Sequence, residues 1–586
     1  MCGIFCSIFR STSSSNKIYL EPCHDNLKRR GPNACGTITQ KLSDSVEGVF
    51  FASVLWMQGC SSPTKQPLVD AEGNILLWNG DIFDGQLRNE GECDSLILLT
   101  RLQTNDVLNT LAAIQGPYSF IYLDRKKMQV WFGRDPVGKH SFLFNISEDA
   151  AVFTSVGVSS IPSLQELPAA GIFKLDLSLD DFTKGLVIHP WEHRKFDICR
   201  MMDQLNVYTV DVPVTHCILH ELSIQFNFDE VGHNFDFLSD PSVNGEDCLK
   251  LFYQCSHFAG NVEKLLALLR RSVQVRVGLQ PPLCADCIET ESNCAHSKTA
   301  VLFSGGLDST VLALLCHEFV PESEPIDLFN VAFERISRPQ NVKQKNKIDS
   351  TSSVEEPKPS ESNFKVPDRI SGLNSFAELE KLCPGRKWNF VEINVSREEL
   401  NKFRKTRISD LIYPLDTILD DSLGCALWFA ASGRGLLDGE SYCSPARVLI
   451  LGMGADELLG GYTRHRKTFE RSGWEALNKE LLTEVWNISL RNLGRDNRVT
   501  SDHGRQPRFP FLDENVIAFL TQLPPWDRCW FPNTKPGVGD KLLLRLLAWK
   551  LGLQFSALLP KRALQFGSRI ADSKEKGNIK CQRLTT

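Results

Sequence analysis

Val301-Leu302-Phe303-Ser304-Gly305-Gly306-Leu307-Asp308-Ser309 is the stretch that decides the fold. An apolar run stops at a serine and two glycines, then gives way to a second apolar segment over 311–317, so the text reads strand, tight loop, helix. Glycines let backbone N–H groups approach an oxyanion closely, and the helix N-terminus adds the positive end of its dipole. Ser304 and Ser309 offer hydroxyl donors to the same anion, and Asp308 is placed to hold Mg²⁺. The loop lacks the Gly-Lys-Ser/Thr ending of a P-loop, which argues against transfer of a γ-phosphate. Its bland reading is a plain turn between strand and helix.

Working outward, apolar runs at 326–333, 391–393 and 448–451 alternate with helical ones such as 312–319, and the spacing predicts a helix over 262–277. Alternation of this kind predicts a parallel α/β sheet. It is broken at 336–368, a polar segment rich in Pro, Ser and Lys that is expected to be a disordered surface loop. The first third is different. Short strands at 49–57, 75–78, 118–123, 129–133 and 151–155, with one amphipathic helix at 95–102, predict an antiparallel β-rich layer domain. The expected division is a first domain over 2–186, a weakly patterned connector over 187–261, a second domain over 262–570 and a loose polar tail over 571–586.

Composition bounds the function. The chain has 586 residues, 65 Lys+Arg against 71 Asp+Glu, 42% hydrophobic residues and a net charge of −6. No apolar run approaches the ~20 residues that span a bilayer, so neither a membrane span nor a signal peptide is expected. A slightly acidic chain with no basic stripe is not expected to bind nucleic acid. The 19 cysteines are odd in number and scattered, a usage that fits reduced thiols in the cytoplasm better than a disulfide framework.

Cys2 stands apart from the others. If Met1 is removed, one residue carries both a thiol nucleophile and an α-amine of pKa ~7.7–8.0 that can take the thiol proton. Its bland reading is a small hydrophobe at a strand start. Its context decides: Met1-Cys2-Gly3-Ile4, Arg30-Gly31-Pro32-Asn33, Trp78-Asn79-Gly80-Asp81-Ile82-Phe83, Gln115-Gly116-Pro117-Tyr118-Ser119-Phe120 and Phe132-Gly133-Arg134-Asp135-Pro136-Val137-Gly138 follow one another in this order. They resemble the class II glutamine amidotransferase domain of the asparagine synthetase family, which implies an αββα N-terminal-nucleophile fold. By that resemblance Cys2 attacks the glutamine amide, and Asn79 and Gly80 form the oxyanion hole.

The central loop is similar to that of the ATP pyrophosphatases, which split ATP to AMP and pyrophosphate. Gly452-Met453-Gly454-Ala455-Asp456-Glu457 resembles the family's second nucleotide motif, Lys541-Leu542-Leu543-Leu544-Arg545 its Lys-x-x-Leu-Arg, and Arg508-Phe509-Pro510-Phe511-Leu512-Asp513 its Arg-x-Pro-Phe-Leu-Asp. The resemblance implies ATP bound by Ser304, Gly305, Gly306, Asp308, Ser309 and Gly452, Mg²⁺ shared by Asp308 and Asp456, and Lys541 as a clamp on the adenylation transition state. Residues 413–421 and 558–568 are more similar to a separate branch of the family than to conventional asparagine synthetases.

Three positions depart from the family pattern. Val54 stands where an arginine clamps the glutamine carboxylate. Gly91-Glu92-Cys93-Asp94 replaces a Gly-Ser-Asp whose acid holds the substrate ammonium, and Glu92 or Asp94 substitutes only with a shift. Met453 replaces a glutamate, and a thioether accepts no proton at neutral pH.

The implied function is a cytoplasmic, glutamine-hydrolysing, ATP- and Mg²⁺-dependent ligase that amidates aspartate. The alternatives are a pseudoenzyme or ATP-binding scaffold that keeps the fold, and an amidoligase for another acid. Cys284, Cys287, Cys294 and His296 offer four metal-ligand types, but the last pair is separated by one residue, and scattered thiols are the preferred reading.

Overall fold

The computed structural model describes residues 2–571 and 577–584, apart from 12–19, 59–61, 85–86, 88–91, 162, 195–207, 210–212, 220–225, 228–234, 241, 289–293 and 336–360. Its first part is two stacked sheets between helices. A six-stranded sheet is centred on Gly3–Arg10, which pairs antiparallel with Val46–Val54 and Ala150–Thr154. A seven-stranded sheet runs through Gly171–Asp176, Gln129–Arg134, Tyr118–Asp124 and Ile75–Gly80. Period-two alternation sorts the side chains. Ile4, Cys6, Ile8, Ile75, Leu77, Ile121 and Leu123 fill the space between the sheets. Leu76, Trp78, Phe120 and Tyr122 face the helices Asp94–Thr104 and Val107–Ala112 on the outer side. Phe5 and Phe51 pack on Leu20–Arg30 on the other flank, through Cys23 and Leu27. The αββα layering is thus present, and Cys2 directly precedes a central strand.

The second part has a seven-stranded sheet whose core is parallel. Thr299–Leu302 pairs with Ile326–Phe333 on one side and with Val448–Ile450 on the other. Beyond these lie Trp388–Val395 and Gln506–Arg508, and an antiparallel hairpin, Arg434–Leu437 with Glu440–Cys443, closes one edge. Chain order reverses at Thr299–Leu302. In open α/β sheets that switch point opens a crevice at the strand C-termini, where the 303–309 loop and the start of Ala455–Leu459 stand.

Several expected boundaries change. The 187–261 connector begins inside a strand, because Leu186–Pro190 stays paired with Gly171–Asp176, and it ends in helices Gly245–Gln254 and Ser256–Gly278. Within the expected loop 336–368, residues 336–360 lie outside the described residues. The remainder is folded: Phe364 and Val366 bury against Ala332, and a helix starts at Pro367. The tail is not loose over 577–584. Ile418 and Leu419 donate backbone hydrogen bonds to Ile579 and Gly577, Cys581 donates to Asp416, and the Cys581 side chain is buried.

The two parts meet along a buried polar seam. Lys139 Nζ lies 2.6 Å from Glu514 Oε1, which also accepts the Gly116 N–H at 3.1 Å. Arg30 donates to Asn497 Oδ1 at 2.9 Å, Arg498 donates to Ser141 Oγ at 2.8 Å and pairs with Glu166, and Arg447 donates to Asn33 Oδ1 at 3.2 Å. Asp502 accepts from Arg29 at 3.1 Å, from Arg407 at 3.0 Å and from the Trp428 indole at 2.8 Å. Burial alone would raise its pKa, yet Arg407 and Arg29 hold it down to about 2.

Asp502→Ala should therefore cost ~1–3 kcal/mol in denaturant unfolding near neutral pH, because it leaves the mostly buried Arg407 guanidinium and the Trp428 indole without their acceptor, while the half-exposed Arg29 turns to water. The folded acid stays ionised down to about 2, whereas in the unfolded chain it protonates near ~4. The advantage of the unsubstituted protein should be complete above ~pH 4 and fade as pH falls toward ~2.

Candidate active sites

The first site forms at the N-terminus of Gly3–Arg10. Cys2 is buried, and its backbone N–H donates to Asn79 Oδ1 at 2.8 Å. Asn79 Nδ2 donates to Ser119 Oγ at 3.2 Å. The asparagine expected as an oxyanion donor thus spends its oxygen on the Cys2 N–H, since a fully buried amide must satisfy both ends. Gly80 follows in the same strand, with Trp78 and Tyr118 so close that a Cβ there would stand 2.5 Å from the Trp78 ring. Burial pushes the Cys2 thiol up in pKa, Asp94 and Asp81 push the same way, and the local positive charge and the Leu55 backbone oppose them.

Of the two acids considered at 92 and 94, Asp94 is the one within electrostatic reach of Cys2. It opens Asp94–Thr104, accepts the Trp78 indole N–H at 3.0 Å, and is raised to about 7 by burial and by Asp81. Glu92 is exposed, and Gly91 lies outside the described residues. Val54 sits in the apolar layer between the sheets and offers nothing to a carboxylate. Two neighbours escaped the sequence reading. His140 lies with Nδ1 2.8 Å from the Asn79 carbonyl and is held neutral by burial. Arg30 donates Nε to the Cys2 carbonyl at 3.4 Å and is pushed down to about 9 by burial and by Arg498. Arg30 stood inside a quoted motif, and its burial was the missing information. His140 follows the Gly133–Gly138 motif with no local signal.

The second site is a cavity of about 1260 Å³ at the switch point. Ser304, Gly306, Asp308, Ser309, Gly452, Asp456 and Lys541 all line it. Gly305 shapes the loop from behind: at φ +72° its Cβ would meet Gly372 N at 2.4 Å, so the turn admits only glycine. Lys541 caps Leu542–Lys550 with φ +54°, a strained conformation for a lysine. From there its Nζ lies 2.8 and 2.6 Å from the Asp308 carboxylate oxygens and 2.7 Å from Asp456 Oδ1. Lys561 pairs with the other Asp456 oxygen. Against burial, these two ammonium groups hold Asp456 well below the usual carboxylate range. Asp308 and Asp456 thus converge on one cation position, a hard-oxygen donor set that fits Mg²⁺.

Lys561, Arg562 and Asp368 also reach this cavity and were not identified as site residues from sequence. Asp368 is raised to about 7 by burial, which Arg562 and Lys561 oppose. Lys561-Arg562 stood inside a quoted segment, and two adjacent cations after a proline were the available signal. Asp368 fell at the end of the expected loop, which hid it. Met453 lines the cavity in place of an acid. Glu457 accepts the Tyr462 hydroxyl at 2.6 Å and is raised by burial and by Asp456.

Two outcomes follow from this geometry. A Cβ on Gly461 would stand 2.0 Å from Asp456 Oδ1 and 2.3 Å from Lys541 Cε; Gly461→Ala should dislodge the clamp and lower the thermal unfolding midpoint by about 2 °C or more, while far-ultraviolet circular dichroism at room temperature stays unchanged. Asp94 keeps its proton in the fold up to about 7, while the unfolded chain loses it near ~4. Its contribution to stability should decline as pH rises through that interval. Asp94→Asn should flatten that decline in thermal melts recorded from pH 5 to 8.

A family model described as a glutamine amidotransferase domain matches residues 1–180. The asparagine synthetase domain-containing protein 1 of Mus musculus is 39% identical over 635 residues, covering 100% of this chain and 99% of that protein. An asparagine synthetase domain-containing protein of Drosophila melanogaster is 35% identical over 607 residues, with 100% of both chains covered. A putative glutamine-hydrolysing asparagine synthetase of Methanocaldococcus jannaschii is 45% identical over 78 residues, 13% of this chain and 14% of that protein. With its layered first part and the loop at its switch point, the chain belongs to the asparagine synthetase family, in the branch of the asparagine synthetase domain-containing proteins.

Proposed function

We propose that the chain is a cytoplasmic amidotransferase that hydrolyses glutamine at Cys2 and uses ATP to amidate the side-chain carboxylate of aspartate. The observation that carries the reading is the convergence of Asp308, Asp456 and Lys541 in the cavity beside a glycine loop. In the first reaction the Cys2 sulfur attacks the glutamine amide carbon, the C–N bond breaks, and ammonia leaves a thioester that water opens to glutamate. Removal of Met1 would turn the Cys2 nitrogen, already held by Asn79 Oδ1, into the amine that takes the thiol proton. Asn79 and Gly80 donate to the oxyanion.

In the second reaction an aspartate carboxylate oxygen attacks the α-phosphorus of ATP and pyrophosphate departs. The 304–309 loop and the helix dipole behind it bind the phosphates, and Lys541 gathers negative charge on the transition state. Mg²⁺, when bound by Asp308 and Asp456, supplies charge neutralisation of the polyphosphate. Ammonia then displaces AMP from the acyl-adenylate.

A second reading, a nucleotide-binding protein without amide synthesis, is favoured by Met453, which leaves the cavity without an acid at that position. One assay separates the two. Purified protein given glutamine, aspartate, ATP and Mg²⁺ should form glutamate, pyrophosphate and asparagine. Cys2→Ala should abolish glutamate while ammonium salts restore asparagine, and Lys541→Met should lower pyrophosphate release by ~10²–10³. ATP binding with no pyrophosphate would leave the second reading standing.

A further inference from the structure

We infer that Cys284, Cys287, Cys294 and His296 form a structural Zn²⁺ site that braces the junction between the two parts of the chain. Their four ligand atoms lie within 4.8 Å of one another. His296 Nδ1 is 3.6 Å from Cys284 Sγ and 3.4 Å from Cys287 Sγ. In a tetrahedral zinc centre, with Zn–S of ~2.3 Å and Zn–N of ~2.0 Å, the sulfur–nitrogen edge is ~3.5 Å. Two of the six edges thus match a tetrahedral zinc centre, and the other four are no longer than 4.8 Å. Cys284 also donates its backbone N–H to Cys294 Sγ at 3.3 Å, a bond that stabilises the thiolate form a metal binds.

Neighbouring contacts hold the loop in this shape without drawing on the four ligands. Ala285 N–H donates to the Pro445 carbonyl at 2.9 Å, and Lys298 Nζ donates to the Pro282 carbonyl at 2.9 Å. The 284–287 segment turns back on 294–296, so the one-residue spacing of the second pair is no obstacle once the chain folds. All four residues lie between Ser256–Gly278 and Thr299–Leu302, on the lead into the strand that carries the phosphate-type loop.

Charge supports the same assignment. Three thiolates, a neutral imidazole and Zn²⁺ sum to one negative charge, and binding releases three thiol protons. Arg447 is buried within electrostatic reach of Cys284. Its N–H donates to the Lys298 carbonyl at 3.1 Å, and its guanidinium reaches Asn33 and the Trp56 carbonyl in the first part, while Nη1 is buried without a hydrogen-bond partner among the described residues. An anionic metal centre beside this cation balances it and pins a contact that crosses the seam.

The test uses the full chain, purified under reducing conditions and analysed by elemental mass spectrometry, with Zn²⁺ and Co²⁺ as probes. About one zinc per chain is expected, and chelator-stripped protein should take up Co²⁺ with the visible bands of a tetrahedral thiolate site. Cys287→Ser and Cys294→Ser should each weaken zinc affinity by at least ~10–100-fold in chelator competition, as even partners outside the ligand set do. Cys443→Ser, an exposed cysteine outside the cluster, should bind like the parent. The inference is overturned if reconstituted parent protein holds less than about a tenth of an equivalent, if Co²⁺ shows no tetrahedral bands, or if both serine variants retain zinc. It is also overturned if mass spectrometry finds the cluster locked as a disulfide. None of these readouts depends on the catalytic reading.

Discussion

Burying a guanidinium is expensive, and it persists inside a protein only where acceptors are fixed around it. Arg30, Arg134, Arg276, Arg447, Arg495, Arg498 and Arg508 are among the largest fully buried side chains, and most of their partners lie on a different element or on the other half of the molecule. Each such group has a narrow set of geometries in which its cost is offset. The seam therefore fixes the angle and spacing of the two halves far more tightly than apolar contact could. On the proposed reading, that rigidity keeps the site that releases ammonia in fixed register with the site that consumes it.

A similar constraint governs the second cavity at smaller scale. Asp308 and Asp456 approach one point, and without a cation between them their repulsion would push one toward protonation. Lys541 and Lys561 remove the conflict, and the backbone accepts a left-handed lysine to achieve it. The clamp is thus preorganised, with its strain borne by Leu542–Lys550, whose leucines are buried in the core. On the proposed reading, nucleotide and metal enter a site where positive and negative charges are already paired, and binding exchanges partners without exposing bare charge.

Much of this was legible in the sequence because it is local. The strand, glycine turn and helix around 301–317 and the period-two strands of the first part depend on near neighbours, and the structure keeps them. What stayed hidden is what folding brings together from afar. Asp368 joins Lys561 across nearly two hundred positions, and Asp94 comes under Cys2, so neither environment can be read along the chain. The 361–368 segment and the tail misled for a related reason: both are polar in composition, but a few residues, Phe364, Val366 and Cys581, suffice to anchor them. The strand Leu186–Pro190 was cut short because its alternation is carried by so few residues.

The three departures from the family pattern do not weigh equally once they are seen in place. At position 94 a carboxyl near Cys2 survives, held up at about 7 by burial and Asp81, so a nearby ammonium would favour its ionised form and gain a salt bridge on entering. Val54 admits no such rescue, since it is sealed between two sheets and cannot be reached by a carboxylate from solvent. Met453 lies between these cases: it removes an acid from the cavity wall, yet Glu457, four residues on in the helix Ala455–Leu459, remains buried with its pKa raised by burial and by Asp456. A group poised to take a proton is therefore still present, bound to Tyr462. On the proposed reading, the glutamine carboxylate must therefore be oriented by groups other than an arginine at position 54.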